Sequence, residues 1–481
     1  MTIRSAAAVR FSQSQRAAAY DQFLTRYPEY AQTGLLDELR ATEYARLDRL
    51  GHTYLDYTGG GIYATSQLQE HMALLDANVY GNPHSSNPTS QAATQLNEHA
   101  RRFVLDYFQA SPDEYEVIFT LNASGALKLV GESYPFGPGA QYMMTFDNHN
   151  SVNGIREYAR AKGATITYIP VLPPDLRVEE ATLFAALDQP ATGPRLFAYP
   201  AQSNFSGVRH PLEWIAYAQA RGWDVLVDMA AYVPTNPLDL SRWHPDFVDL
   251  SFYKMFGYPT GLGCLLARKD AAAKLHRPWF AGGTINIASV QADTFVLSEG
   301  ETGFEDGTIN YLNIPAVEIG LRYLQRIGLS LIQTRVQCLT GWLIEHLLTL
   351  HHSNGQPLLT LYGPASTDRR GGTIAFNFHD PSGKLFDYHD IEAEANQEKI
   401  SLRTGCFCNP GAGEVALGFT EDELRQMLGQ HPRMTFNDFF EIAAMNGRNA
   451  GAARVSLGLV SNFDDVYTFL AFAERYIDRQ R

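Results

Sequence analysis

The segment Ser251-Phe252-Tyr253-Lys254-Met255-Phe256-Gly257-Tyr258-Pro259-Thr260-Gly261-Leu262-Gly263 decides how the remaining sequence reads. It follows the apolar run Phe247-Val248-Asp249-Leu250 and sets one lysine among aromatic residues and glycines. A lysine so placed is less hydrated than a surface lysine, and desolvation favours its neutral amine. That is the form that condenses with a carbonyl to make an imine. Taken alone, Lys254 reads first as a lysine with its stem on apolar surface and its head in water.

Upstream, Val225-Leu226-Val227-Asp228 is an apolar strand that ends in a carboxylate. Four further strands precede it: Val117 to Thr120, Tyr142 to Thr145, Ile166 to Ile169 and Leu196 to Tyr199. Helical stretches separate them, and this alternation predicts an α/β fold with a mostly parallel sheet and helices on both faces. Ligands in such folds sit beyond the carboxyl ends of the strands. There the sequence places Asn122-Ala123-Ser124, Asp147-Asn148-His149, Gln202-Ser203-Asn204 and Asp228. A carboxylate at a strand end needs a cation or a donor opposite it. Asp228 is thus either a helix cap or structural ion, or the partner of a protonated pyridine nitrogen.

Residues Gln15 to Leu50 have helical spacing, with Tyr20, Phe23, Leu24 and Tyr27 on one face. Thr53 to Tyr57 reads as a short strand closed by Gly59-Gly60-Gly61. A long helical stretch starts near Pro315 and leads to a smaller α+β unit containing the strand Thr373 to Phe378. His351 to Asp368 reads as a variable loop. The expected organisation is an N-terminal helical segment over 1–50, a large cofactor-binding domain over 51–325 and a small C-terminal domain over 326–481.

The 481 residues include 45% hydrophobic and 19% charged side chains, ample for a buried core. A net charge of −14 repels nucleic-acid phosphates and anionic membranes, which excludes both as expected partners. No apolar run approaches the roughly 20 residues that span a bilayer. Four cysteines make no disulfide scaffold in a chain of this length and suit a reducing, cytoplasmic setting. Arg4, Arg10 and Arg16 faintly suggest a transit peptide, but a packed N-terminal helix is the preferred reading.

Other residues carry possible chemistry. Thr120-Leu121-Asn122-Ala123-Ser124-Gly125 precedes a helix, and amides with a hydroxyl at a helix start cradle phosphate. The plain alternative is a capped loop. His149, in its strand-end loop, is either a structural imidazole or one stacked on an aromatic cofactor. Cys406 and Cys408 share the loop Arg403-Thr404-Gly405-Cys406-Phe407-Cys408-Asn409-Pro410, where a thiol is either inert or a nucleophile. A zinc site fits poorly, because Cys264 and Cys338 stand alone, and no metal is expected. Arg454 is either a surface ion-pair residue or a clamp for a carboxylate.

Together, several segments resemble the class V aminotransferase superfamily of fold-type I pyridoxal-phosphate (PLP) enzymes, in its cysteine-desulfurase branch. Within that branch the resemblance is to the N-terminal desulfurase domain of molybdenum cofactor sulfurases. Besides the lysine segment and the Arg-Thr-Gly-Cys-Phe-Cys loop, it rests on Tyr54-Leu55-Asp56, Tyr80-Gly81-Asn82-Pro83-His84-Ser85, Pro200 to Gly207 and Phe304-Glu305-Asp306-Gly307-Thr308-Ile309. The resemblance implies a homodimer with a seven-stranded-type sheet. It implies that Lys254 holds PLP as an imine, that Asp228 faces the pyridine nitrogen and that His149 stacks on the ring. Ala123, Ser124 and Ser251 would hold the phosphate, with Thr308 reaching in from the second subunit. Asn204 would lie near the cofactor O3′ and the substrate, Arg454 would bind the substrate carboxylate, and Cys408 would become a persulfide as L-cysteine turns into alanine.

Three positions depart from the branch. Ala231 replaces a glutamine that bonds the cofactor O3′, and Tyr253 replaces the histidine of iron-sulfur-type desulfurases but matches the sulfurases. Tyr57 with Thr58-Gly59-Gly60-Gly61 replaces the usual His-Ala-Gly near the expected substrate position. These changes keep open a lyase or aminotransferase acting on another amino acid, possible in specialised metabolism. The sulfurases continue into a C-terminal β-rich domain without counterpart in this sequence, so a sulfur acceptor is not carried over.

Overall fold

The computed structural model describes residues 10–429, 433–445 and 448–481; Arg4 lies outside them. Seven strands form the central sheet: β1 (Tyr115–Thr120), β2 (Gln141–Thr145), β3 (Thr165–Ile169), β4 (Arg195–Pro200), β5 (Asp224–Asp228), β6 (Phe247–Ser251) and β7 (Gly263–Arg268). Their order is β1-β7-β6-β5-β4-β2-β3. Strand β7 runs antiparallel to both neighbours, and all other pairings are parallel. Helices cover both faces, so the strands read as nearly continuous apolar runs. One face carries Ile118, Leu196, Leu226, Phe247 and Leu265; the other carries Val117, Phe197, Val227, Val248 and Leu266. This is the α/β architecture that the alternating pattern predicts, and its seven strands agree with the fold-type I PLP enzymes that the sequence resembles.

After the sheet, α5 (Ile314–Ile327) and α6 (Leu329–Leu347) lead into a second sheet. Pro315 sits in the first turn of α5, where its missing N–H costs nothing. The second sheet holds β8 (Leu359–Tyr362), β9 (Thr373–Phe378), β10 (Arg403–Gly405) and β11 (Ala452–Ser456), in the antiparallel order β8-β9-β11-β10. Strand β8 lies inside the stretch expected to be loop. Its four residues pair with β9 and bury Leu359 and Tyr362, a run too short for its period to show in sequence. The strand expected over Thr53 to Tyr57 shrinks to Thr53–Tyr54, paired with Ile400–Ser401, after which Asp56 makes one bridge to Ser456.

The N-terminal helix α1 (Arg16–Arg26) docks Phe23 against Trp342 and Phe463, with ring centroids 5.5 and 5.1 Å away. Arg335 of α6, fully buried, donates to the Thr33 carbonyl at 2.9 Å and to Asp37. Arg40 meets the buried Asp465 at 2.5 Å near the far end of the chain. Among the described residues no helix is long and apolar enough to cross a membrane.

Candidate active site

Lys254 lies on α4 (Phe252–Phe256), a single turn that starts where β6 ends. Gly257 stops that turn at φ +80°, and a Cβ there would fall 2.3 Å from the Tyr63 amide nitrogen. The Gly61 amide donates to the Tyr253 carbonyl at 3.0 Å, so the loop after Tyr57 is laid directly on the lysine turn. Among the described residues the Lys254 ammonium has no hydrogen-bond or salt-bridge partner. Burial pulls its pKa down, the Asp228 carboxylate opposes this, and Arg454 reinforces it.

Asp228 ends β5, and its Oδ1 accepts from the Ala230 amide at 2.9 Å. Its charge is felt by both Lys254 and His149, which places the three groups around one space. The His149 Nδ1 accepts from the Ser151 amide at 3.1 Å, leaving its proton on Nε2 when the ring is neutral. Burial pushes the His149 pKa down, which keeps the ring neutral. At the mouth of helix α3 (Ala123–Ser133), the Ala123 amide donates to Ser251 Oγ at 2.9 Å, and Ser124 Oγ meets Ser151 Oγ at 2.6 Å. Ser151 is a hydroxyl that the sequence reading missed, because only the fold brings the two loops together.

Cys406 to Asn409 form the turn between β10 and α7 (Pro410–Leu417), and both Phe407 and Cys408 have positive φ, 55° and 54°. Side chains other than glycine adopt that region at a cost of about 1–3 kcal/mol each, and only where surroundings fix them. Here polar groups from the large sheet's loops do so. Asn204 Nδ2 donates to the Phe407 carbonyl at 2.7 Å, and the Asn150 amide donates to the Cys408 carbonyl at 2.7 Å. Asn409 Nδ2 donates to Asn204 Oδ1 at 2.8 Å and to the Asp147 carbonyl at 2.7 Å. Cys408 is exposed, whereas Cys406 is half-buried and its thiol pKa is raised by that burial. The side chain of Asn204, predicted to lie near cofactor and substrate, is thereby engaged by the cysteine loop.

Arg454 sits in the middle of β11. Its guanidinium lies 4.7 Å over the Phe407 ring, donates to the Asn204 carbonyl at 2.9 Å and meets Asp56 at 3.0 Å. Asp56 also takes Arg403 at 2.7 Å. Burial brings the Arg454 pKa down to about 10. Tyr57 lines a cavity of about 20 Å³ that reaches Lys254, but its hydroxyl is buried and turned toward Asp465 and Arg40. Gln202 lines the same cavity and donates to the Ala231 carbonyl at 3.0 Å. Thr308 lies on the wall of a different cleft, of about 710 Å³, and accepts from Asn82 at 3.2 Å.

A lysine at a strand end, facing a carboxylate and an imidazole at the C-terminal edge of a mixed seven-stranded sheet, has a counterpart among known families. The family described as aminotransferase class-V matches residues 53–469. The chain belongs to this family. Among class-V relatives, the molybdenum cofactor sulfurase of Solanum lycopersicum is 38% identical over 471 residues, covering 91% of this chain and 57% of that protein. The Homo sapiens protein of the same name is 37% identical, covering 91% of this chain and 51% of its own length. The chain thus spans about half the length of the curated relatives it matches. The apo structure of a cysteine desulfurase from Thermococcus onnurineus shares the fold, with a TM-score of 0.75, 24% identity and coverage of 92% and 98% of the two chains. The chain is therefore an enzyme of the class-V aminotransferase family, whose members bind PLP, and it shares its fold with a cysteine desulfurase.

The residues around Lys254 fit PLP. A partnerless amine suits the cofactor's aldehyde, and a buried carboxylate suits its ring nitrogen. Amides and hydroxyls gathered at one helix start suit its phosphate.

Proposed function

We propose that this class-V enzyme is a cysteine desulfurase that converts L-cysteine to L-alanine while Cys408 takes up the sulfur as a persulfide. The observation that carries this reading is the fastening of the exposed Cys408 turn to Asn150 and Asn204, the loops that flank Lys254 and His149. A nucleophile held over a reacting centre gains orientation that a mobile thiol lacks.

Bound PLP supplies an electron sink when the substrate loses its Cα proton. Lys254 takes and returns protons at Cα, and burial keeps its amine basic rather than permanently charged. Asp228 would hold the ring nitrogen protonated, His149 would cover the ring, and Ala123, Ser124 and Ser251 would hold the phosphate. Arg454 binds the substrate carboxylate, with Tyr57 shaping the wall behind it. The Cys408 sulfur attacks the substrate sulfur; an S–S bond forms, the substrate Cβ–S bond breaks, and Cβ receives the electron pair and a proton. The products are L-alanine and a Cys408 persulfide, so atoms and electrons balance. The enzyme works as a homodimer, with Thr308 completing the phosphate site of the neighbouring subunit.

Products from L-cysteine, quantified with and without a reducing thiol for wild type and Cys408→Ser, test this reading. Alanine and sulfide that require both reductant and Cys408 support it. Pyruvate and ammonia, or turnover that survives Cys408→Ser, point instead to a lyase or aminotransferase.

A further inference from the structure

Asp249 has no place in the chemistry above. It lies in the middle of β6, fully buried, and no donor among the described residues meets either of its carboxyl oxygens. Strand register pairs it with Asp228 on the adjacent parallel strand β5. Residues in register point to the same face of a sheet, so the two carboxyl groups are side by side. The face they share is apolar, with Leu226, Phe247 and Leu265 around them. The charged or titratable groups that act on Asp249 are Asp228 and Lys254, and Asp249 in turn acts on the buried Cys264 of β7.

Two carboxylates side by side in such surroundings cannot both be ionised. Burial, and next the Asp228 charge, push the Asp249 pKa well above the usual carboxylate range. A protonated Asp249 has one O–H to donate, and the Asp228 carboxylate is the acceptor beside it. Asp228 already receives the Ala230 amide on Oδ1, so a second donor would fix its plane.

We propose that Asp249 is a positioning residue: as the neutral acid it donates a hydrogen bond to Asp228, fixing that carboxylate and drawing off part of its negative charge. The inference rests on the reading that Asp228 faces the PLP ring nitrogen. Through Asp228, Asp249 sets how strongly the ring nitrogen holds its proton. The signal was present in the sequence as an aspartate inside an apolar strand, Phe247-Val248-Asp249-Leu250.

The test combines infrared spectra of the purified protein at pH 8 with PLP titrations for wild type, Asp249→Val and Asp249→Asn. Wild type is expected to show a protonated-carboxyl carbonyl band that both variants lack. Asp249→Val is expected to bind PLP about ten-fold more weakly, the worth of one hydrogen bond to a charged group. It should also shift the pH midpoint of the bound cofactor's visible absorption. Asp249→Asn keeps an N–H donor and should restore binding. Should Asp249→Val fail to fold, the wild-type and Asp249→Asn spectra still decide the pairing. No band in wild type, a band unchanged in Asp249→Asn, or an Asp249→Val protein that binds PLP with unaltered affinity and absorption overturns the proposal. Failure of wild type to take up PLP would sink the functional reading, while the infrared band would still decide whether Asp249 is the neutral acid.

Discussion

The Asp56 carboxylate meets the buried Arg454 guanidinium at 3.0 Å, across 398 residues of sequence. Arg403 approaches the same carboxylate from the solvent side. Two guanidinium groups therefore share one protein carboxylate, and the three groups together carry +1, which the proposed reaction uses for the substrate carboxylate. Asp56→Asn removes the counter-charge of a buried arginine. It should cost about 3 kcal/mol of stability, the lower end for breaking a buried pair from one side. Urea unfolding of wild type and variant checks this, and an unchanged midpoint would show that the pair contributes nothing to stability.

The exposure of Cys408 and the burial of Cys406 give the two thiols of one loop different reactivity. Limiting iodoacetamide followed by peptide mass spectrometry should label Cys408 first, Cys406 later, and the buried Cys264 and Cys338 only after unfolding. Cys406→Ser should retain sulfur release from L-cysteine. Labelling of Cys406 ahead of Cys408 would reverse the assignment of the nucleophile.

Glu116 on β1 carries a prediction about pH. Burial, then the nearby Glu301, raises its pKa to about 7 from the ordinary 4.5. At pH 4 the group is protonated both folded and unfolded and costs nothing. As pH rises from about 4.5 to 7 the unfolded chain loses this proton more readily, so stability falls through that window. Glu116→Gln should accordingly stabilise the protein more at pH 8 than at pH 5 in urea titrations. An equal gain at both values would mean that the carboxyl is ionised throughout.

Gly257 is required by geometry rather than by chemistry. Alanine there meets both the positive φ and a 2.3 Å contact with the Tyr63 amide nitrogen. Gly257→Ala should destabilise the protein by more than about 1 kcal/mol. It should also weaken PLP uptake, since relief of the contact displaces the turn that carries Lys254. Thermal unfolding together with the cofactor's visible absorbance reads both effects.

Legibility in the sequence followed distance along the chain. Strands β1 to β6 of the large sheet and the Lys254 turn were readable because each is a local pattern of apolar runs, glycines and a polar strand end, whereas the antiparallel β7 was not picked out. Asp228 was readable as a residue but not in its role, since a helix cap leaves the same trace. Asp56 appeared only as part of a motif; its partners Arg403 and Arg454 are brought to it by a second sheet whose pairings no local pattern reveals. The engagement of Asn204 with the cysteine loop was hidden for the same reason, and so was the meeting of Ser124 with Ser151. Strand β8 was missed because four residues with two buried cannot distinguish alternation from a loop.

The ion pair between Arg40 and Asp465 sets an order of events during synthesis. Its members are 425 residues apart. At roughly 5–20 residues per second the ribosome takes about 20 to 85 s to travel between them. Throughout that interval Arg40 and the aromatic face of α1, with its Phe23 destined for Phe463, have no finished surface to dock on. The helices that carry Phe23 and Arg40 therefore cannot complete their packing until Phe463 and Asp465 have been made, and their apolar face must stay unaggregated until then.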